Sequence, residues 1–249
     1  MGEFSAMEIF YLLNSGFMIR DGKTLMVFDD YEDNKKVVDR AIKAGNFDYL
    51  YIFVSHAHFD HFDTHIRAYA KDVTRYIFSN DVKRTKRVKN FPADDITFIR
   101  KYSEWSGAGV KVWTYDSTDV GVSFLVETDS GARIFHAGDF NWWHWEEDTP
   151  EKQILAQKDF ERQLKRMKGL DVDVAFFPVD GRLGSSQELG VTEFVKKTDI
   201  KSLVAMHRVG YPAWIPSHKF LTETKPLPIW SPVEPGEKRL LLDGKFVEK

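Results

Sequence analysis

The segment spanning residues 55–65, S-H-A-H-F-D-H-F-D-T-H, constrains this chain more than any other. It follows Tyr49–Val54, a short run of apolar, aromatic and β-branched residues cut off by polar ones, which is the pattern of a buried strand. His56, His58, Asp60 and His61 therefore sit on a loop leaving a strand end. Histidines two positions apart on a near-extended segment project to the same side, and a tight turn after them brings a carboxylate and a third imidazole to the same point. Neutral imidazole and carboxylate are what a borderline cation such as zinc accepts from a protein without thiolates. This sequence contains no cysteine, so a metal site must be built from His, Asp and Glu.

A chain of 249 residues, 43% of them hydrophobic and with a net charge of −3, fits one large globular domain over residues 1–249. Residues 1–6 lack any pattern and read as a cloning remnant ahead of a native start at Met7. The absence of a long uncharged apolar run and of a leader pattern points to a cytoplasmic protein with no membrane contact. Lys and Arg are scattered, which argues against a nucleic-acid surface, and the most basic stretch, 83–89, reads as the solvated face of a helix.

Hydropathy periodicity predicts strands at 8–13, 16–20 and Thr24–Phe28, a helix at 34–43 stopped by Gly45, and the strand carrying the histidines. A helical turn at 66–70, a strand at 74–78 and a short helix at 81–88 follow. Ile96–Ile99, 110–115, 120–128 and 132–137 read as an antiparallel series, with Asp-Ser-Gly at 129–131 as a hairpin turn. Thr149-Pro150 opens a helix expected to reach Lys168 and to bury Ile154, Phe160, Leu164 and Met167. A strand at 172–177, a helix at 187–197 and a strand at 202–206 precede a proline-rich irregular segment that closes in a hairpin at 239–247. Strands followed by helices in each half fit two sheets packed face to face with helices outside, an α/β architecture.

H-A-H-F-D-H resembles the H-x-H-x-D-H signature of the metallo-β-lactamase superfamily, and Asp29 at a strand end, Gly138-Asp139 and His207 fall where that family places further parts. The resemblance runs from residue 7 to about residue 211. It implies a four-layer αββα sandwich and a stand-alone metal-dependent hydrolase. It also implies one or two divalent ions, zinc first with manganese or iron as alternatives, held by His56, His58, Asp60, His61, Asp139 and His207. Asp139 would bridge two metals, Asp60 would ligate one and orient the attacking hydroxide, and Asp29 would support the loop from behind. The family's third histidine is missing, since none lies between His65 and His136. Ser117 aligns with that position and Asp119 is a substitute; a serine hydroxyl is a poor ligand for a dication. His136 is expected to be a buried hydrogen-bonding residue rather than a ligand.

Asn141, Trp142, Trp143, His144 and Trp145, together with Arg182 and Arg208, are placed around the mouth. Aromatics beside arginines suit a small-molecule substrate with an apolar and an anionic part; the alternative is that the tryptophans bury a homo-oligomer interface or brace the loop. The function that follows is hydrolysis of a small ester, lactone or phosphodiester. The rival reading is a metal-containing protein that binds or senses a small ligand without turning it over.

Overall fold

The computed structural model describes residues 6–247; residues 1–5 of the segment read as a cloning remnant lie outside the described residues. Strands β1 (Met7–Leu13), β2 (Gly16–Asp21) and β3 (Thr24–Phe28) form an antiparallel meander. Helix α1 (Val37–Ala44) then crosses over, so that β4 (Tyr49–Val54) joins β3 in parallel, as such a connection requires. β5 (Arg75–Ser79) and β6 (Ile96–Ile99) extend the parallel half. The chain then builds a second sheet from β7 (Glu104–Gly107), β8 (Val110–Asp116), β9 (Val122–Thr128) and β10 (Arg133–His136), all antiparallel neighbours.

After α2 (Pro150–Arg166) and the short β11 (Asp171–Val172), β12 (Val174–Pro178) pairs with β10 in parallel. Helix α3 (Leu189–Lys197) and β13 (Asp199–Ile200) lead to β14 (Leu203–Met206), parallel to β12; α4 (His218–Glu223) leads to β15 (Ile229–Trp230) on the same edge. Finally β16 (Lys238–Leu242) returns to pair with β1, and β17 (Lys245–Val247) closes the hairpin. The sheet orders are β17-β16-β1-β2-β3-β4-β5-β6 and β15-β14-β12-β10-β9-β8-β7.

Alternation along each strand sets the layers. In β3, Met26 and Phe28 join the core between the sheets, whereas Leu25 and Val27 pack with Val37, Val38 and Ala41 of α1. In the second sheet Phe176 meets Phe17 across the sandwich at 4.7 Å, while Phe135 and Phe177 face outward onto Phe194 of α3 at 5.5 and 4.6 Å. The order is helix, sheet, sheet, helix, an αββα sandwich. Because the parallel strands are covered on both faces, they read as uninterrupted hydrophobic runs.

Several expectations are corrected. Ile154 is exposed at 52%, because it lies about 120° around the α2 helix from Phe160, off the face shared by Phe160, Leu164 and Met167. The stretch 81–88 is not one helix but two 3-10 turns, Val82–Arg84 and Arg87–Asn90. Nor is it wholly a solvated face: Arg87 turns inward, donates to the carbonyls of Ala57 and Phe62, and lies 4.9 Å over the Phe62 ring, tying down the histidine loop. The C-terminal segment contains α4 and β15, too short and too proline-flanked to show a period. Among the described residues no helix is long and apolar enough to cross a membrane.

Beneath the histidine loop Phe28 stacks on Phe53 at 4.5 Å and on His136 at 5.0 Å, and tilts against Phe124. Phe28→Ala should lower the unfolding free energy of the metal-free protein by about 3–5 kcal/mol in urea denaturation. A loss below about 1 kcal/mol would show that the inter-sheet core does not depend on this stack.

Candidate metal centre

The parallel strands bring their carboxyl ends to one edge of the sandwich, and the ligand-type residues stand there, where open α/β sheets commonly bind ligands. Asp29 follows β3, the His56–His61 loop follows β4, Asp139 follows β10, Asp180 follows β12 and His207 follows β14. Asp119 arrives from the β8–β9 connection. Gly121, with φ of 79°, lets that connection lie against the β4 end: a Cβ there would sit 2.0 Å from the Ser55 carbonyl oxygen and 2.5 Å from the His56 Cβ.

Two groups of ligand atoms result. His56, His58, Asp119 and Asp139 form one, and Asp60, His61 and His207 the other, with the atoms of each within 4.8 Å of one another. The Asp139 carboxylate faces both. Its Oδ2 is 3.4 Å from His56 Nε2, and its Oδ1 is 3.1 Å from His61 Nε2 and 3.3 Å from His207 Nε2. Asp60 Oδ2 lies 3.7 Å from His61 Nε2 and 3.6 Å from His207 Nε2. Although buried, His61 Nε2 and Asp139 Oδ1 have no hydrogen-bond partner. Leaving such atoms unsatisfied costs about 1–3 kcal/mol each, and a cation between them would satisfy both. The donor set, all imidazole and carboxylate, fits a divalent ion of the zinc, manganese or iron kind.

The imidazoles are held from behind. Asp29 Oδ2 is 2.8 Å from His61 Nδ1, its Oδ1 accepts from the Ser55 N–H at 2.7 Å, and Oδ2 accepts from the Ser55 hydroxyl at 2.6 Å. The Ser55 Oγ in turn lies 2.9 Å from His56 Nδ1. Since the Ser55 proton goes to Asp29, His56 Nδ1–H donates to that oxygen, which turns the Nε2 lone pair toward the centre. Asp180 Oδ2 does the same for His207 Nδ1 at 3.1 Å. Burial raises the cost of charge on Asp29, yet His61 and its hydrogen bond hold its pKa below the ordinary value. His136 is buried, with Nε2 2.9 Å from the Ser15 carbonyl and Nδ1 accepting from the Gly138 N–H at 3.2 Å. It lies in neither ligand group.

Ser117 stands outside both groups as well: its hydroxyl accepts from the Asp119 N–H at 3.2 Å and shapes the turn that presents Asp119. Trp142 is half-buried and packs against the core, its ring stacked on Phe160 of α2 at 6.0 Å. Trp143 does face the centre, 5.7 Å from the His207 ring, with its indole N–H donating to the Asp139 carbonyl at 2.9 Å and its other neighbour Trp145 stacked at 5.7 Å. Arg182 is engaged by Asp180 through several N–H donors and lies 5.3 Å over Trp145. Arg208 donates to the Val233 carbonyl and lines a recess shared with Asp60.

Asn14 begins an Asn-Ser-Gly turn whose sequence carries no signal of a metal site. Its Nδ2 donates to Asp60 Oδ2 at 3.1 Å, its Oδ1 accepts from the Val209 N–H at 3.2 Å, and its carbonyl accepts from the His207 N–H at 3.2 Å. It thereby ties the β1–β2 turn to both sides of the second group. Asn14, Asp29, His207 and Val209 all have left-handed φ, 53°, 44°, 60° and 48°. Such strain gathers at sites where the surroundings over-determine the backbone, and a β-branched residue like Val209 rarely tolerates it.

Comparison with protein-family models finds no match, and neither does comparison with curated proteins. Solved structures do match. A metallo hydrolase from the archaeon Ignicoccus hospitalis, Igni18, aligns with a TM-score of 0.63 at 16% identity over 95% of this chain and 98% of that one. The metallo-β-lactamase fold protein YhfI from Bacillus subtilis aligns with a TM-score of 0.58 at 12% identity, covering 93% of this chain and 98% of that one. CmlA, a diiron β-hydroxylase from Streptomyces venezuelae, aligns at 0.56 and 13% identity over 83% of this chain and 45% of its own. The protein has the metallo-β-lactamase fold.

Burial disfavours a charge on His207, but Asp139 and the bond to Asp180 more than offset it and raise its pKa to about 9 in the metal-free protein. His61 is likewise raised well above its ordinary value despite burial, by Asp139 and Asp29. A raised histidine holds its proton at pH 7 and must lose it to ligate, so cation uptake competes with protons. Metal affinity at the group of Asp60, His61 and His207 should therefore rise from pH 6 to pH 9, with about one proton or more released there at pH 7 in calorimetry across buffers of different ionisation enthalpy. Affinity flat over that range, with no proton released, would contradict His207 as a ligand.

Proposed function

We propose that the protein is a metal-dependent hydrolase acting on a small ester, lactone or phosphodiester. The observation that carries this reading is the Asp139 carboxylate, which presents one oxygen to each ligand group while its Oδ1 and His61 Nε2, buried and 3.1 Å apart, form no hydrogen bond. His56, His58, Asp119 and Asp139 would hold one ion, and Asp60, His61 and His207 the other, with Asp139 between them. Divalent ions held there lower the pKa of a water and polarise the oxygen of the bond under attack. Zinc fits the nitrogen-rich set; the shared fold of a diiron enzyme keeps iron among the candidates, and manganese accepts the same donors.

The chain's own residues supply position. Asp60, pinned by Asn14, points Oδ2 into the centre, where a carboxylate can accept a proton from an attacking water. Trp143 and Trp145 wall the side next to His207 and limit water access there. The substrate enters from the side where His58 and Asp119 stay open, with side chains 48% and 43% exposed.

The test is a panel of 4-nitrophenyl butyrate, γ-butyrolactone and bis(4-nitrophenyl) phosphate with metal-loaded protein. We expect turnover of at least one, falling by at least about a hundredfold in Asp60→Asn, since disturbing even the partners of metal ligands costs 10–100-fold. Absence of turnover across the panel by protein with full metal content would overturn the hydrolase and leave a metal-containing ligand-binding protein.

A further inference from the structure

Two arginines stand near the centre, and their surroundings differ. The Arg182 guanidinium is neutralised by Asp180 and covered by Trp145. Arg208 is half-buried, donates to the Val233 carbonyl and touches the Tyr11 hydroxyl, and among the described residues no carboxylate pairs with it. Glu237 acts on the same Tyr11 hydroxyl without forming an ion pair with Arg208, and a half-buried cation that no carboxylate engages directly is a place for an anion.

Arg208 lines a recess of about 170 Å³ together with Leu13, Tyr31, Phe59, Asp60 and Val209. That is close to the roughly 150 Å³ known to admit a benzene ring. The walls are mostly apolar, and Phe59, inside the metal-loop sequence itself, is 79% exposed. An exposed phenyl at the rim of a small apolar recess gains by being covered. Asp60 is the second charged group of the lining and has the opposite sign; its Oδ2 is directed at His207 rather than at Arg208. The recess is therefore lined by one anionic group, Asp60, which reaches into the reacting centre, and by one cationic group, Arg208.

We propose that this recess binds the non-reacting arm of the substrate, and that the arm is a flat apolar group of about benzene size ending in a carboxylate. Arg208 takes the carboxylate, Tyr31, Phe59 and Val209 enclose the apolar body, and Asp60 repels the anionic end, so the bond to be cleaved lies at the Asp60 side. This rests on the hydrolase reading and narrows it to esters, lactones or phosphodiesters carrying such a second anionic group.

The experiment is an NMR titration of the full-length protein with benzoate and with its neutral counterpart benzyl alcohol, both metal-loaded and after chelation. We expect benzoate to bind at least about tenfold more tightly than benzyl alcohol in both states, the difference a charge-assisted hydrogen bond supplies. Arg208→Gln should abolish that preference while benzyl alcohol binds as before, which shows the recess intact. Equal affinities in the parent, a preference that survives Arg208→Gln, or benzoate binding that vanishes on chelation would each overturn the proposal. If Arg208→Gln does not fold, the parent's benzoate preference before and after chelation decides alone. Because binding is read without turnover, benzoate recognition by a protein that hydrolyses nothing removes only the hydrolase reading. A hydrolase with no benzoate preference removes only this one.

Discussion

The buried Asp139 carboxylate is the interaction on which the rest of the centre depends. It is 4% exposed, and burial alone would favour its protonated form; the neighbouring His207 and His61 hold its pKa well below the ordinary carboxylate value instead. An anion buried this deeply is tolerable only among positive or metal-bound partners. The strand order supplies them. β10, β12 and β14 run parallel, so Asp139, Asp180 and His207 leave the same edge, and β3 and β4 of the facing sheet deliver Asp29 and the histidine loop to it. The fold can thus be read as an arrangement that ends five strands around one charge.

The two ligand groups are unlike. The group of Asp60, His61 and His207 is closed by Asp29, Asp180 and Asn14. The group of His56, His58 and Asp119 is half-open, and its Asp119 stands on a connection whose approach depends on Gly121. An aspartate there puts three carboxylates around the centre, with Asp60 and Asp139. More oxygen and fewer nitrogen donors favour a harder ion at that group than three histidines would.

Much of this was legible in the chain. The histidine loop stands out because ligand-type side chains crowd a strand end, and Tyr49–Val54 and Thr24–Phe28 declare themselves as doubly covered strands by uninterrupted hydrophobicity. What could not be read is what depends on contacts between distant segments. Asn14 acts through Val209, far along the chain, and its own surroundings look like any tight turn. Arg87 looks like one more surface cation in a basic run until its fork meets the carbonyls of Ala57 and Phe62. The choice of Asp119 over Ser117 turns on which side chain the β8–β9 connection points inward, which alignment alone leaves open. Trp142 and Trp143 are adjacent in sequence but face opposite ways, one onto Phe160 and one onto His207.

If two adjacent sites share Asp139 and Asp119 completes the open one, metal content depends on Asp119. Elemental analysis after dialysis against excess zinc or manganese, on the parent protein and on Asp119→Ala, tests it most directly. Two ions per chain are expected in the parent and one in Asp119→Ala. One ion or none in the parent, or two in the variant, would contradict it.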